Sequence, residues 1–135
     1  MRRAVLDTNI VVSALLRPDG PPGSVMAAVR RGDLVPVFNE AVLAEYRAVL
    51  HRPRLRLEAA KVDAALDTMR VLGTLLRGSE PAAPAGLPDP ADWPFIVCAL
   101  ASGCPVITGN AKHFPATLGV RVMTAREWVD GAGVR

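Results

Sequence analysis

Two rhythms of apolar and polar positions alternate along the chain. "AVL" at 4–6 has the pattern of a short buried strand and runs into Asp7-Thr8-Asn9, three residue types that favour a helix N-cap. A helix over "IVVSALLR" should follow, ending at Pro18 and the Gly20 to Gly23 cluster, after which "SVMAAVRRG" predicts a short helix closing at Gly32. "LVPVF" at 34–38 predicts the second strand. Asn39 is placed to cap "EAVLAEYRAVLHR", in which Val42, Leu43, Tyr46, Val49 and Leu50 recur at the spacing of one buried helix face. Pro53 stops that helix. The segment "RLRLEAAKVDAALDTMRVLGTLLRG" at 54–78 predicts one long amphipathic helix, and the Pro- and Ala-rich stretch at 79–92 predicts a surface loop. "WPFIVCALASG" then predicts a helix, "PVITG" at 105–109 and "VRVMT" at 120–124 two more strands, and a terminal helix begins near Ala125.

Strands separated by helices of ten or more residues imply βα units and a parallel sheet covered on both faces. A chain of 135 residues is the right size for a single domain, spanning 1–135, around one core. In such sheets ligands bind outside the carboxyl ends of the strands. That rule sorts the polar residues. Asp7 closes the first strand and Thr108-Gly109-Asn110 a later one, so both face the same edge. Glu45 flanks the buried stripe of its helix, and Asp89 and Asp92 lie where the "WPFIVCALA" helix opens. Carboxylates from distant parts of the chain are therefore expected to converge.

Composition changes this picture little. No run approaches the ~18 apolar residues of a membrane span, and the N-terminus lacks a signal pattern, so a soluble, cytoplasmic protein with no membrane association is expected. Cys98 and Cys104 have neither the spacing nor the histidine neighbours of a zinc or redox site, and should be buried thiols. The net charge is +3, with Lys61 and Lys112 the only lysines among sixteen basic residues. A polyanionic partner such as nucleic acid is compatible with that balance but not demanded by it.

"VLDTNIVVSALL", the acid in "LAEYRAVLHRPRL", and "DPADWPFIVCALASG" followed by "VITGNAKHF", in this order, give the chain a resemblance to PIN-domain proteins, in particular the VapC-like toxins of type II toxin–antitoxin pairs. The resemblance implies a three-layer α/β/α sandwich with a central parallel sheet of four to five strands, and metal-dependent hydrolysis of single-stranded RNA. It further implies Mg²⁺ or Mn²⁺ as cofactor, a cognate antitoxin as partner, and homodimers. By the same resemblance, Asp7, Glu45 and Asp92 correspond to the family's metal-binding and catalytic acids. Asn110 stands where many members carry a fourth acid, and Thr108 matches their small hydroxyl residue; Thr8, Asn9 and Asp89 would support the site. Mg²⁺ takes oxygen ligands and is usually held by one or two carboxylates plus substrate phosphate, which suits Asp7 and Asp92 as direct ligands. The neutral amide of Asn110 removes one negative charge from the four-acid pattern and leaves an inactive RNA- or protein-binding module as the alternative.

Each acid also has a plainer reading: helix caps for Asp7 and Asp92, a solvated flank for Glu45, a turn for Asp89. "HRPRLR" is the densest basic segment. Arg52 and Arg54 there, with Arg17, Lys112 and His113 near the acid-bearing ends, are the candidates for RNA contacts.

Overall fold

The computed structural model describes residues 2–131. Strand β1 (Arg2–Leu6) leads into α1 (Thr8–Leu16) and α2 (Pro21–Arg31), then β2 (Leu34–Phe38), α3 (Glu40–Leu50), α4 (Ala59–Leu72) and β3 (Thr74–Leu75). After a long connection come α5 (Trp93–Ser102), β4 (Val106–Ile107), β5 (Val122–Met123) and α6 (Ala125–Gly131). The strands form one five-stranded sheet in the order β3-β2-β1-β4-β5, and every pairing is parallel. The expected three-layer α/β/α architecture is the one observed. Parallel neighbours need crossover connections, and here α1 and α2 link β1 to β2, α3 and α4 link β2 to β3, and α5 leads into β4. Helix α2 packs on β2, α1, α4 and α6, whereas α5 lies against β1, β2 and β4.

Local chemistry explains most element boundaries. The Asn39 side chain accepts a 2.9 Å hydrogen bond from the Val42 amide, capping α3 as its sequence suggests. A reciprocal pair between Thr124 and Glu127, at 2.8 and 3.0 Å, opens α6. Pro21 and Pro22 do not interrupt the chain before α2. They occupy its first turn, where a missing N–H costs nothing, so the helix starts three residues earlier than the sequence pattern suggests.

The expected helix over 54–78 is corrected more heavily. Pro53–Leu55 forms a separate 3₁₀ turn, closed by Arg56 in the left-handed region at φ 55°, and the α-helix occupies only Ala59–Leu72. Gly73 ends it, because the backbone there packs too closely for any side chain. A Cβ on Gly73 would lie 2.3 Å from Phe38 Cε2 and 2.6 Å from the Met69 carbonyl oxygen. The next two residues pair with Val37 and Phe38 as an edge strand. The strands expected over 105–109 and 120–124 are each present as two paired residues.

The core is continuous from Ala4, Val5 and Leu6 through Val37, Phe38 and Leu43 to Ile96 and Val106, all buried. Val49, expected in the buried stripe of α3, is half-buried and borders a surface cleft instead. Cys98 and Cys104 are buried free thiols, and burial pushes Cys98 up to about 12, which leaves it unreactive. Among the described residues no helix is long and apolar enough to cross a membrane.

Candidate functional site

Strand order reverses at β1, which has β2 on one side and β4 on the other. The carboxyl ends of β1 and β4 therefore frame the sheet's switch point, where open α/β sheets present their ligand crevice. Asp7 follows β1 directly and is only 6% exposed. Although it occupies the N-cap position of α1, its carboxylate makes no capping hydrogen bond. Instead Thr108, just past β4, donates from Oγ1 to Asp7 Oδ2 at 2.7 Å, tying the two strand ends together across the switch point. The same Oγ1 accepts from the Asn110 amide at 2.9 Å, so Thr108 sets both the acid and the turn after it.

Glu45 reaches this place from α3. Its neighbour Tyr46 is fully buried, and the Tyr46 hydroxyl donates to the carbonyl of Leu6, the residue before Asp7. That bond pins α3 to the end of β1 and leaves Glu45, one position earlier in the chain, half-buried in the wall of the cleft that Asp7 also lines. Asp89 and Asp92 come from the single 3₁₀ turn Pro90–Asp92 that precedes α5. Asp89 Oδ1 accepts from the Ala91 amide at 3.0 Å, a turn role in agreement with its sequence context. Asp92 makes no cap bond to α5.

These residues enclose a cleft of about 170 Å³ lined by Asp7, Thr8, Asn9, Glu45, Val49, Arg52, Asp89, Ala91, Asp92, Phe95, Asn110 and His113. Three larger cavities, beside Trp93 and Cys98, between Leu15 and Lys61, and beside Glu40 and Leu75, are lined by none of these acids. The closest grouping of metal-binding atoms within the cleft comprises Asp89, Asp92 and His113, all within 4.8 Å of one another, and it could hold a metal ion. His113 Nδ1 lies 3.2 Å from Asp92 Oδ2, and the side-chain nitrogen Nδ2 of Asn110 is 3.3 Å from the ring's Nε2. The sequence alone ranks Asp89 as a supporting residue and His113 as an RNA contact. The D-P-A-D spacing is the signal that unites Asp89 with Asp92, since one tight turn puts both on the same side. Nothing local connects either to His113.

Of the basic candidates, only Arg52 and His113 line the cleft. Arg17 is exposed beyond the far end of α1 from Asp7, and Arg54 and Lys112 are exposed on 3₁₀ turns outside the lining.

Crowded carboxylates raise one another's pKa unless a cation intervenes. Asp92 is pushed up to about 6, first by burial and then by repulsion from Asp7 and Asp89, with His113 pulling the other way. Asp7 is raised too, chiefly by burial, against the opposing Thr108 hydrogen bond and the nearby Thr8 amide. Two polar atoms at the cleft, Asp92 Oδ2 and Thr8 Oγ1, are buried with no hydrogen-bond partner. An oxygen-rich donor set, shifted carboxylates and orphaned oxygens together fit a divalent cation.

The family model described as PIN domain matches residues 3–112, from β1 to the turn after β4. The chain belongs to the PIN-domain family. PIN domains are generally metal-dependent nucleases, and this PIN domain carries an acidic cluster, Asp89 and Asp92 with His113, that could hold a metal ion. The match ends one residue before His113, so that histidine lies outside the shared span. No curated protein and no solved structure matches this PIN domain closely enough to count as a relative.

Proposed function

We propose that this PIN-domain protein is a Mg²⁺- or Mn²⁺-dependent endoribonuclease cleaving single-stranded RNA, and that it serves as the toxin of a type II pair held in check by a cognate antitoxin. The observation that carries the nuclease reading is the convergence of Asp7, Glu45, Asp89 and Asp92 in one cleft at the switch point of the sheet. Asp7 and Asp92 would hold the cation, with Glu45 lining the same cleft. When bound, the cation neutralises charge at the scissile phosphate and lowers the pKa of the attacking water. Glu45 would orient the attacking water in line with the scissile P–O3′ bond. As the water oxygen bonds to phosphorus the P–O3′ bond breaks, the water gives a proton to solvent and the leaving O3′ takes one from solvent, so the products are a 5′-phosphate and a 3′-hydroxyl. Thr108 keeps Asp7 aimed, and Arg52, the basic side chain of the cleft wall, pairs with a phosphate oxygen of the substrate.

Asn110, neutral where a fourth acid is common, favours one cation over two. It is also the observation behind the second reading, an inactive PIN fold that binds RNA or protein. The toxin role and the antitoxin partner rest on the sequence resemblance.

The test is cleavage of a mixed single-stranded RNA pool by purified protein in Mn²⁺, Mg²⁺ or EDTA, beside Asp7→Asn purified identically. Cleavage that needs metal and vanishes in the variant supports the nuclease. Identical behaviour of the two proteins, with RNA binding retained, moves the assignment to the binding module.

A further inference from the structure

The cleft's one imidazole has no part in the reaction above, yet it sits among the acids. We propose that His113 is a direct nitrogen ligand of the cation, and that it thereby sets the metal's identity, selecting a first-row transition cation over Mg²⁺. The inference rests on the metal-binding reading of the cleft but not on nuclease activity.

Three observations carry it. His113 Nδ1 and Asp92 Oδ2 are 3.2 Å apart, yet Asp92 Oδ2 is buried without a directed hydrogen bond. Two ligand atoms held at ~2.1 Å from one ion in neighbouring octahedral positions lie about 3 Å apart, so the spacing fits shared coordination as well as ion pairing. Asp89 completes the group, with all three donor atoms within 4.8 Å of one another. Independently of these acids, Thr8 borders the same cleft, is only 6% exposed, and leaves its hydroxyl unpartnered. A buried hydroxyl with no partner beside three clustered donors points to a polar occupant of the cleft.

Ligand chemistry then decides which cation. Mg²⁺ demands oxygen ligands and gives up water reluctantly, whereas imidazole binds increasingly well from Mn²⁺ to Co²⁺ along the Irving–Williams order. A site in which one imidazole joins the carboxylates therefore ranks Co²⁺ above Mn²⁺ and Mn²⁺ above Mg²⁺. An all-carboxylate site lacks that nitrogen preference.

Titrations of the full chain with Co²⁺, Mn²⁺ and Mg²⁺ test this, read by calorimetry, by the visible spectrum of bound Co²⁺ and by nitrogen coupling in the electron paramagnetic resonance of bound Mn²⁺. Wild type should show that coupling. His113→Gln should lose it and weaken Co²⁺ and Mn²⁺ at least tenfold while leaving Mg²⁺ within about twofold. His113→Asp, which restores a charged oxygen donor, should shift the preference toward Mg²⁺. Urea unfolding of each variant in EDTA checks that the fold is retained. Absence of nitrogen coupling in wild type, or an equal loss for all three cations in both variants, overturns the proposal. Nitrogen-coupled binding without RNA cleavage leaves it standing and removes the nuclease reading, while failure of every cation to bind removes both.

Discussion

Replacing Asp92 by Asn should stabilise the metal-free protein and abolish its stabilisation by metal. Burial and the charges of Asp7 and Asp89 raise Asp92 from 3.8 to about 6 in the folded chain. The folded pKa is above the unfolded one, so folding takes up a proton between those values. The resulting stability is fully present below pH ~3.8 and is lost as pH rises through about 6. At neutral pH, holding the ionised form costs up to roughly 3 kcal/mol at 1.36 kcal/mol per pH unit, and water at the cleft mouth brings the realistic range to about 1–3 kcal/mol. Asn has nearly the same shape, and the one favourable contact it weakens, the 3.2 Å pairing with His113, is already counted in the net upward shift of Asp92. In EDTA and low salt at pH 7.5, Asp92→Asn should therefore unfold at a higher urea concentration than wild type, by about 1–3 kcal/mol, and the gap should close near pH 4. With Mn²⁺ at ~100 times its dissociation constant, wild type gains about 2.7 kcal/mol and the variant does not, which reverses or erases the order. A variant that is less stable than wild type in EDTA at pH 7.5, or an offset that is the same at every pH, would refute the electrostatic account.

Thr108→Val strips Asp7 of its hydroxyl donor and the Asn110 amide of its acceptor; two polar groups left unpaired should cost roughly 2–4 kcal/mol. Thermal melts should show Thr108→Ser close to wild type, and equal melting of the Val and Ser variants would remove Thr108 from this role. Gly73→Ala drives a methyl into Phe38 and two backbone carbonyls, and should cost at least ~3 kcal/mol. Gly103→Ala is the matched comparison: it meets open space and pays only for its φ of 73°, about 1 kcal/mol. Equal melting temperatures for these two alanine variants would contradict the packing argument at the junction of α4 and β3.

Much of the site was legible because strand ends are local features. An apolar run ending in Asp7, and another ending in Thr108-Gly109-Asn110, place these residues at one sheet edge as soon as the sheet is taken to be parallel. The stripe containing Tyr46 likewise puts Glu45 near that edge, since a residue adjacent to a buried face emerges at its border. His113 was not legible as part of the metal group, because its nearness to Asp92 depends on how the turn after β4 folds over the turn before α5. The arginines were sorted only by the fold too. Arg17 is close to Asp7 in sequence but a whole helix away in space, whereas Arg52 ends α3 at the cleft.

Strand β3 marks the same division. Thr74 and Leu75 follow a helical pattern and lack strand signals of their own, and they are extended because Val37 and Phe38 offer open backbone partners at the sheet edge. Patterns of period two and 3.6, caps and proline positions lie within a few residues, so the sequence alone determines most of the succession of strands and helices, β3 excepted, together with the parallel sheet and the edge that bears the acids. Hydrogen-bond partners across the sheet, the Thr108–Asp7 tie over 101 positions and the meeting of Asp89, Asp92 and His113 are set by distances between segments remote in the chain. Those distances exist only once the core has closed, which is why the tertiary structure alone decides which acids share a cleft and which histidine faces them.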